Sequence, residues 1–312
     1  MAIKDFFSKL SFRYFLRNMY TLFAYDMRSM LLETRERLLI ETMHRFDSES
    51  DSEQYREELE YVFRYGKTNF PYDQLKQLET VDSGFDKRLR MPYVIHHNKK
   101  LYFPKDLSEE EAVQKYRHYI EKENLLGGNY TKKMPHCYQT ERFKVNEGDV
   151  FVDVGAAEGL VALDVIDRVS KVYIIESERR WIKALRATFE PYKEKCVIIQ
   201  KLVTDQNGRK SITLESLLKD ETIRPVFVKM DIEGYEKRVL NASMVFLAQR
   251  ENIKLACCTY HFEEDAKVLE GLIGQMGYQY EFSDGWVLFD LYDKSLMKPP
   301  FFRKGIIRAW KR

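Results

Sequence analysis

The stretch Val150-Phe151-Val152-Asp153-Val154, followed at once by Gly155-Ala156-Ala157-Glu158-Gly159, most narrows what this chain can fold into. Its first half is a short apolar run of the kind found in a strand covered on both faces. Its second half is a turn of small residues that opens a helical pattern. The rhythm then repeats: strands are expected at 150–154, 171–176, 196–201, 226–231 and 253–260, interspersed with helices at 159–169, 179–190, 235–248 and 263–276. Runs such as Val172-Tyr173-Ile174-Ile175 carry no polar alternation, which suits a parallel sheet with helices on both sides. The expected fold class is therefore α/β, a doubly wound and mostly parallel sheet. Two last strands near 278–282 and 286–290, separated by Ser283-Asp284-Gly285, are expected to form an antiparallel edge.

Ligands of such sheets sit beyond the carboxyl ends of the strands. Gly155 and Gly159 allow a backbone to pass close to a ligand and reach positive φ without strain. The helix that begins near Glu158 or Gly159 should present unpaired N–H groups, so a ligand with an anionic end is expected. Glu176 closes the next strand 21 residues beyond Gly155, a spacing at which an acid can meet a ribose. The loop lacks the third glycine of G-x-G-x-x-G, which disfavours NAD. Glu158-Gly159-Leu160 stands where a P-loop needs Gly-Lys-Ser/Thr, which disfavours ATP and GTP.

Asp153-Val154-Gly155-Ala156-Ala157-Glu158-Gly159 resembles the first motif of S-adenosyl-L-methionine (SAM) methyltransferases. A second block, Lys229-Met230-Asp231-Ile232-Glu233-Gly234-Tyr235-Glu236, resembles the K-x-D-x-E-G-x-E signature of FkbM-type methyltransferases, a family that includes O-methylating enzymes of sugars and macrolides. Further similarity lies in Glu147-Gly148-Asp149, Pro135-His136-Cys137-Tyr138, Tyr260-His261 and Glu264-Asp265, so the resemblance covers roughly 92–289. It implies a SAM-binding domain with Asp153, Gly155, Glu158, Gly159 and Glu176 around the cofactor, and Asp205 near the adenine. It also implies that His136 and Tyr138 border the acceptor pocket.

Asp153, Glu176, Asp231 and His261 all fall at predicted strand ends on one rim. Methyl transfer from a sulfonium to a hydroxyl needs an oxygen held in line with the departing sulfur and a base for its proton. His261, Asp231 and Glu233 are the catalytic candidates, His261 first because an ordinary imidazole near pKa 6.5 accepts a proton at neutral pH. Asp231, Glu233 and Glu236 also read as helix-capping or solvated acids, and no metal is expected there.

Upstream, residues 1–90 read as a helical N-terminal extension and 91–148 as a hairpin and helix leading into the catalytic domain at 149–292. Phe12, Leu16, Met19, Phe23, Met27 and Met30 form the apolar seam of a basic helix, suited to a membrane surface, the catalytic domain or a second copy of the chain. Asp47–Glu53 reads as a solvated loop, followed by a helix over 54–65. Tyr93–His96 and Lys100–Phe103 flank a turn at His97-Asn98-Lys99, and Ser108 with Glu111 is spaced as a capping box. Residues 293–312, in which Lys298, Arg303, Lys304, Arg308, Lys311 and Arg312 form a run without acids, read as a basic tail able to touch phosphorylated glycan carriers or lipid headgroups.

A net charge of +2 argues against a general nucleic-acid binder. Four cysteines without C-x-x-C spacing suit a reducing compartment. No run approaches the ~20 apolar residues of a membrane span, so a cytoplasmic protein, at most peripheral to the inner face of a membrane, is expected. The expected activity is O-methylation of a sugar hydroxyl in cell-surface polysaccharide or glycolipid assembly, on an acceptor that can be carrier-linked. Alternatives are a non-catalytic scaffold in a glycan-assembly complex and a methyltransferase of a small non-sugar metabolite.

Overall fold

A computed structural model describes residues 39–47, 50–73, 78–128, 133–289 and 301–311. They divide into two compact units, one ending at Thr68 and one beginning at Asn69. The apolar seam expected at Phe12–Met30 and residues 48–49 of the stretch expected as a solvated loop lie outside the described residues. In the first unit, helix α1 covers 39–47 and a 3-10 turn over Ser50–Tyr55 leads into α2 (Arg56–Tyr65). The stretch expected as a solvated loop is thus partly helical. His44 and Phe63 stack at 3.8 Å between ring centroids. Gly66 ends α2 with φ +85, its N–H bonded to the carbonyl of Val62.

The second unit opens with an antiparallel sheet in the order β1 (Ser83–Asp86), β2 (Met91–His96) and β3 (Lys99–Tyr102). A strand therefore lies within residues expected to be helical. His97 and Asn98 take the left-handed backbone of a two-residue turn, φ +45 and +65. The capping box is present at α3 (Glu109–Arg117): the Glu111 N–H donates to Ser108 Oγ, and the Ser108 N–H to Glu111 Oε2. The helix runs on as a wider turn over His118–Lys122.

The main body follows as β4 (Val150–Val154), α4 (Leu160–Val165), β5 (Lys171–Ile175), α5 (Arg179–Thr188), β6 (Cys196–Ile199), the short pair β7 (Leu202–Val203) and β8 (Ser211–Ile212), and α6 (Leu214–Leu218). Next come β9 (Val226–Met230), α7 (Glu236–Ala242), α8 (Met244–Ala248), β10 (Ile253–Cys258), α9 (Asp265–Gln275), β11 (Gln279–Phe282), β12 (Trp286–Leu288), β13 (Phe302–Lys304) and β14 (Ile306–Trp310). The helix expected over 235–248 breaks at Ser243, whose φ −98 and ψ 7 turn the chain. Seven strands form one sheet in the order β11-β14-β10-β9-β4-β5-β6, with β10, β9, β4, β5 and β6 mutually parallel. This is the doubly wound, mostly parallel α/β sheet.

The edge is built differently from the expectation. β11 does not pair with β12; it pairs with β14, which lies antiparallel between β11 and β10, and β12 pairs with β13. The basic tail is thus strand from Phe302 onward. Ile306, Ile307 and Ala309 are fully buried, and Arg308 is buried too because its guanidinium reaches Glu281 Oε1 at 3.0 Å and the Cys137 carbonyl at 2.8 Å. Pairing with charge and carbonyl makes burial of that cation tolerable.

Strand alternation splits the core into two layers. Val150, Val152, Val154, Val228 and Met230 enter one layer, with Leu240, Leu269 and Ile273 of the covering helices. Phe151, Phe227, Leu160, Ile166 and Leu185 enter the other. Asp153 and Lys229 are directly paired in register on adjacent parallel strands, and they share the Phe151 and Phe227 side of the sheet. No helix among the described residues is long and apolar enough to cross a membrane.

Candidate active site

At the carboxyl ends of β4, β5 and β9 lies a cleft of about 300 Å³, where Gly155, Glu176 and Asp231 meet Trp181, Leu202 and Tyr235. Its charge is one-sided. Glu176, Glu178, Asp231 and Glu233 line it against one cation, Lys201, whose ammonium already donates to the Gly208 carbonyl at 3.1 Å. Such a lining favours a ligand that carries positive charge.

The two glycines of the first loop are required for different reasons. Gly155 has φ +77, and a Cβ there would stand 1.8 Å from the Asp231 carbonyl oxygen, so the loop after β4 and the end of β9 touch through this residue. Gly159 has φ +82 and faces α5, where a Cβ would meet Leu185 and Phe189 at 2.8 and 2.9 Å. It closes the loop onto the helix and does not line the cleft. Ala157 and Glu233, both cleft residues, hold left-handed φ of +46 and +56 without being glycine. Conformations of that kind cost free energy and concentrate at functional sites.

Glu176 ends β5 with its carboxylate braced by two backbone amides. The Ala157 N–H donates to Oε2 at 2.9 Å and the Glu178 N–H to Oε1 at 2.7 Å. Each oxygen keeps a lone pair for a further donor from the cleft. Asp153, Glu158 and Asp205 do not line the cleft, and each is occupied within the fold. Asp153 is fully buried 3.0 Å from the Lys229 ammonium, which also donates to the Gly155 carbonyl at 2.6 Å. Burial raises the Asp153 pKa against the pull of Lys229. Glu158 points into the core, where burial pushes its carboxyl up to about 7. Asp205 pairs with Arg238 at 3.0 Å on the surface.

Asp231 is the hub of a buried network. Its Oδ2 accepts the Tyr138 hydroxyl at 2.9 Å and lies 3.7 Å from His136 Nε2, while Oδ1 lies 3.4 Å from His261 Nε2. Each imidazole has a second carboxylate behind it: Glu123 lies 3.2 Å from His136 Nδ1, and Glu236 lies 3.4 Å from His261 Nδ1. The Tyr260 hydroxyl adds a contact to His136 at 3.1 Å. Burial alone would lower the His136 pKa, but Asp231 and Glu123 override it and hold the ring protonated, at about 9. Glu123 would be raised by burial, and His118 and His136 bring it down to about 2. Burial likewise opposes the charge of Asp231, yet His136, Lys229 and His261 keep its pKa well below the carboxylate range. His261 is lowered by burial and raised more strongly by Glu236 and Asp231, with a net rise.

His261 therefore differs from the ordinary imidazole that the sequence suggested. Its ring is 2 % exposed and meets the cleft through Asp231 and through Glu233, whose Oε2 is 3.7 Å away. Glu233 itself is an exposed cleft residue. Two sets of ligand-type atoms lie within 4.8 Å of one another around Asp231, namely His136 with Cys258 and Glu236 with His261. Glu123, Lys229 and Glu236 were not assigned these roles from sequence. Lys229 opens the K-x-D-x-E-G-x-E block in the sequence, but its pairing with Asp153 shows only through the β4–β9 register, and the role of Glu123 only when α3 and its wider last turn are placed beside His136.

No protein-family model and no curated protein matches the chain. Solved structures do match in part. A methyltransferase FkbM from Methylobacillus flagellatus KT is 20% identical with a TM-score of 0.41; the match covers 54% of this chain and 44% of that one, less than half its length. Precorrin-6y C5,15-methyltransferase from Geobacter metallireducens GS-15 is 16% identical over 54% of this chain and 84% of that one, with a TM-score of 0.36. M. jannaschii TYW2, in complex with AdoMet, is 13% identical over 70% and 84%, with a TM-score of 0.39.

Proposed function

We propose that the protein is a SAM-dependent O-methyltransferase of the FkbM type that methylates a sugar hydroxyl in polysaccharide or glycolipid assembly. The acid-lined cleft at the ends of β4, β5 and β9 carries this reading, because Glu176 offers lone pairs to a ribose while Asp231 and Glu233 suit a cationic sulfonium and ammonium. A dinucleotide or a nucleoside triphosphate would bring phosphate charge against the same four carboxylates. When bound, SAM supplies a methyl group activated by positively charged sulfur.

The residues of this chain then orient and deprotonate the acceptor. Asp231, held ionised by its two histidines, positions the acceptor oxygen and favours positive charge on His261. With SAM held in the cleft, the proton that the acceptor hydroxyl gives up on methylation would pass to the His261–Asp231 pair. A base in that place contributes typically ~10² to 10⁴-fold. Holding the oxygen in line with the sulfur supplies a further share of the rate. The test is incubation of the full chain and labelled SAM with fractionated cell-surface glycans. Label in a sugar methyl ether is the expected result, and label confined to non-sugar metabolites would overturn the acceptor assignment.

A further inference from the structure

A second cavity, of about 1170 Å³, shares no lining residue with the cleft. Its walls are the β1–β2 turn, the start of β3 and the segment after it, and the solvent-facing side of α5. Seven Lys and Arg side chains line it against three carboxylates. Those carboxylates are already engaged. Asp86 accepts the Tyr102 hydroxyl at 3.0 Å and two backbone amides at 2.9 Å, Asp106 lies 3.9 Å from Arg180, and Glu190 binds Lys193 at 3.2 Å. Among the described residues, Arg88, Arg90, Lys105, Lys183 and Arg186 have no carboxylate within 4.0 Å. Unpaired like charges gathered around one depression repel one another, and a bound polyanion relieves that repulsion.

Three lining residues, Met91, Tyr102 and Ala187, belong to a small apolar cluster that continues behind them in Ala184 and Tyr93. Phe85 and Leu89, 48% and 37% exposed, stand in the wall among the cations. We propose that this groove binds an acidic glycan, an oligosaccharide bearing several carboxylate or phosphate groups, and so anchors the charged part of the acceptor.

The cations are spread over three walls, which matches charges spaced along a chain better than a single phosphate. The apolar surfaces between them fit the carbon faces of sugar rings. The net charge of the whole chain is only +2, so the basic character is local to this groove, unlike the broad field of a nucleic-acid binder. Helix α5 links the two sites: Trp181 lines the cleft, whereas Lys183 and Arg186 line the groove. At ~1.5 Å per residue, Trp181 and Arg186 are on the order of 8 Å apart along the helix axis. The assignment of the ligand as acceptor rests on the sugar reading of the cleft.

The experiment is calorimetric titration of the full chain with a galacturonate hexamer, a phosphate-bearing hexasaccharide, neutral maltohexaose and hexathymidylate. It is repeated on K183E/R186E and R88E/K105E, whose sites are exposed. At least one acidic sugar should bind tenfold or more tightly than maltohexaose, and each variant should lose tenfold or more of that affinity. The stronger of the two acidic sugars identifies the charged group. Equal binding of neutral and acidic sugars, tightest binding of hexathymidylate, or unchanged affinity in natively folded variants would overturn the proposal. SAM is titrated in parallel: absence of SAM binding with groove binding intact removes the methyltransferase reading alone, and the converse removes the groove alone.

Discussion

Replacing Glu176 with alanine separates two roles that the structure gives one carboxylate. The side chain braces the loop after β4 by accepting the Ala157 and Glu178 amides at 2.9 and 2.7 Å, and it faces the cleft where a ribose would lie. Loss of two hydrogen bonds to an ionised acceptor should lower folding stability by on the order of 3 kcal/mol, offset in part because water can enter the opened cleft. Loss of the contact to the ribose should cost a further ~1 to 3 kcal/mol of SAM binding, roughly 5- to 150-fold in Kd. Calorimetry with SAM and with its 2′,3′-dideoxy analogue resolves the two in a cycle. Removing the ribose hydroxyls should weaken binding to the parent protein about fivefold or more and weaken binding to Glu176→Ala less than about twofold. If the analogue loses the same factor against both proteins while circular dichroism stays native, the carboxylate is a loop brace and the ribose assignment fails.

Gly155→Ala should lose folding stability together with SAM binding, since even a methyl group collides with the Asp231 carbonyl at 1.8 Å; a urea midpoint equal to that of the parent would refute this. His261→Ala should slow single-turnover methyl transfer by ~10²-fold or more while SAM affinity holds, and the parent rate should climb with pH through the raised pKa of His261, above its ordinary 6.5. A rate within threefold of the parent from pH 6 to 9 removes His261 as the base. Glu158 is held at about 7 against an ordinary 4.5, so the folded state binds its proton more tightly than the unfolded chain does. That stabilisation is complete below about 4.5 and is lost as pH rises through 7, about 3 kcal/mol in all. Glu158→Gln should therefore gain stability over the parent progressively from pH 5 to 8 in urea unfolding, and a difference independent of pH would contradict the burial argument.

The strands of the parallel body were legible because a strand buried on both faces must be apolar without interruption. β4, β5, β9 and β10 accordingly begin where expected and end within one to two residues of it. The antiparallel edge was not. Ser283-Asp284-Gly285 is a turn signal between two strands, but a local signal does not reveal that each strand finds a better partner further along the chain, β11 in β14 and β12 in β13. Arg303, Lys304 and Arg308 disguised those partners as a solvated tail, although Ile306, Ile307 and Ala309 between and beside them are fully buried. Only the neighbours brought by tertiary packing, Glu281 and the Cys137 carbonyl, make the buried Arg308 tolerable.

In the site, the acids at the strand ends were readable by position, whereas what each one faces was not. A glycine turn has the same sequence whether its missing Cβ makes room for a ligand, for the Asp231 carbonyl as at Gly155, or for Leu185 and Phe189 as at Gly159. The expectation of an anionic ligand end depended on free amides at the start of α4. In the loop that precedes α4, the amides of Gly155 and Ala156 donate to the Ile175 carbonyl, that of Ala157 to Glu176, and that of Gly159 to the Ala156 carbonyl, while the first turn of the helix, from Leu160, does not line the cleft. With those loop donors engaged, the side chains that line the cleft, four carboxylates against one lysine, dominate its charge preference. The one-sided lining selects the positive end of a ligand, and the basic groove beside α5 is left as the place for negative charge.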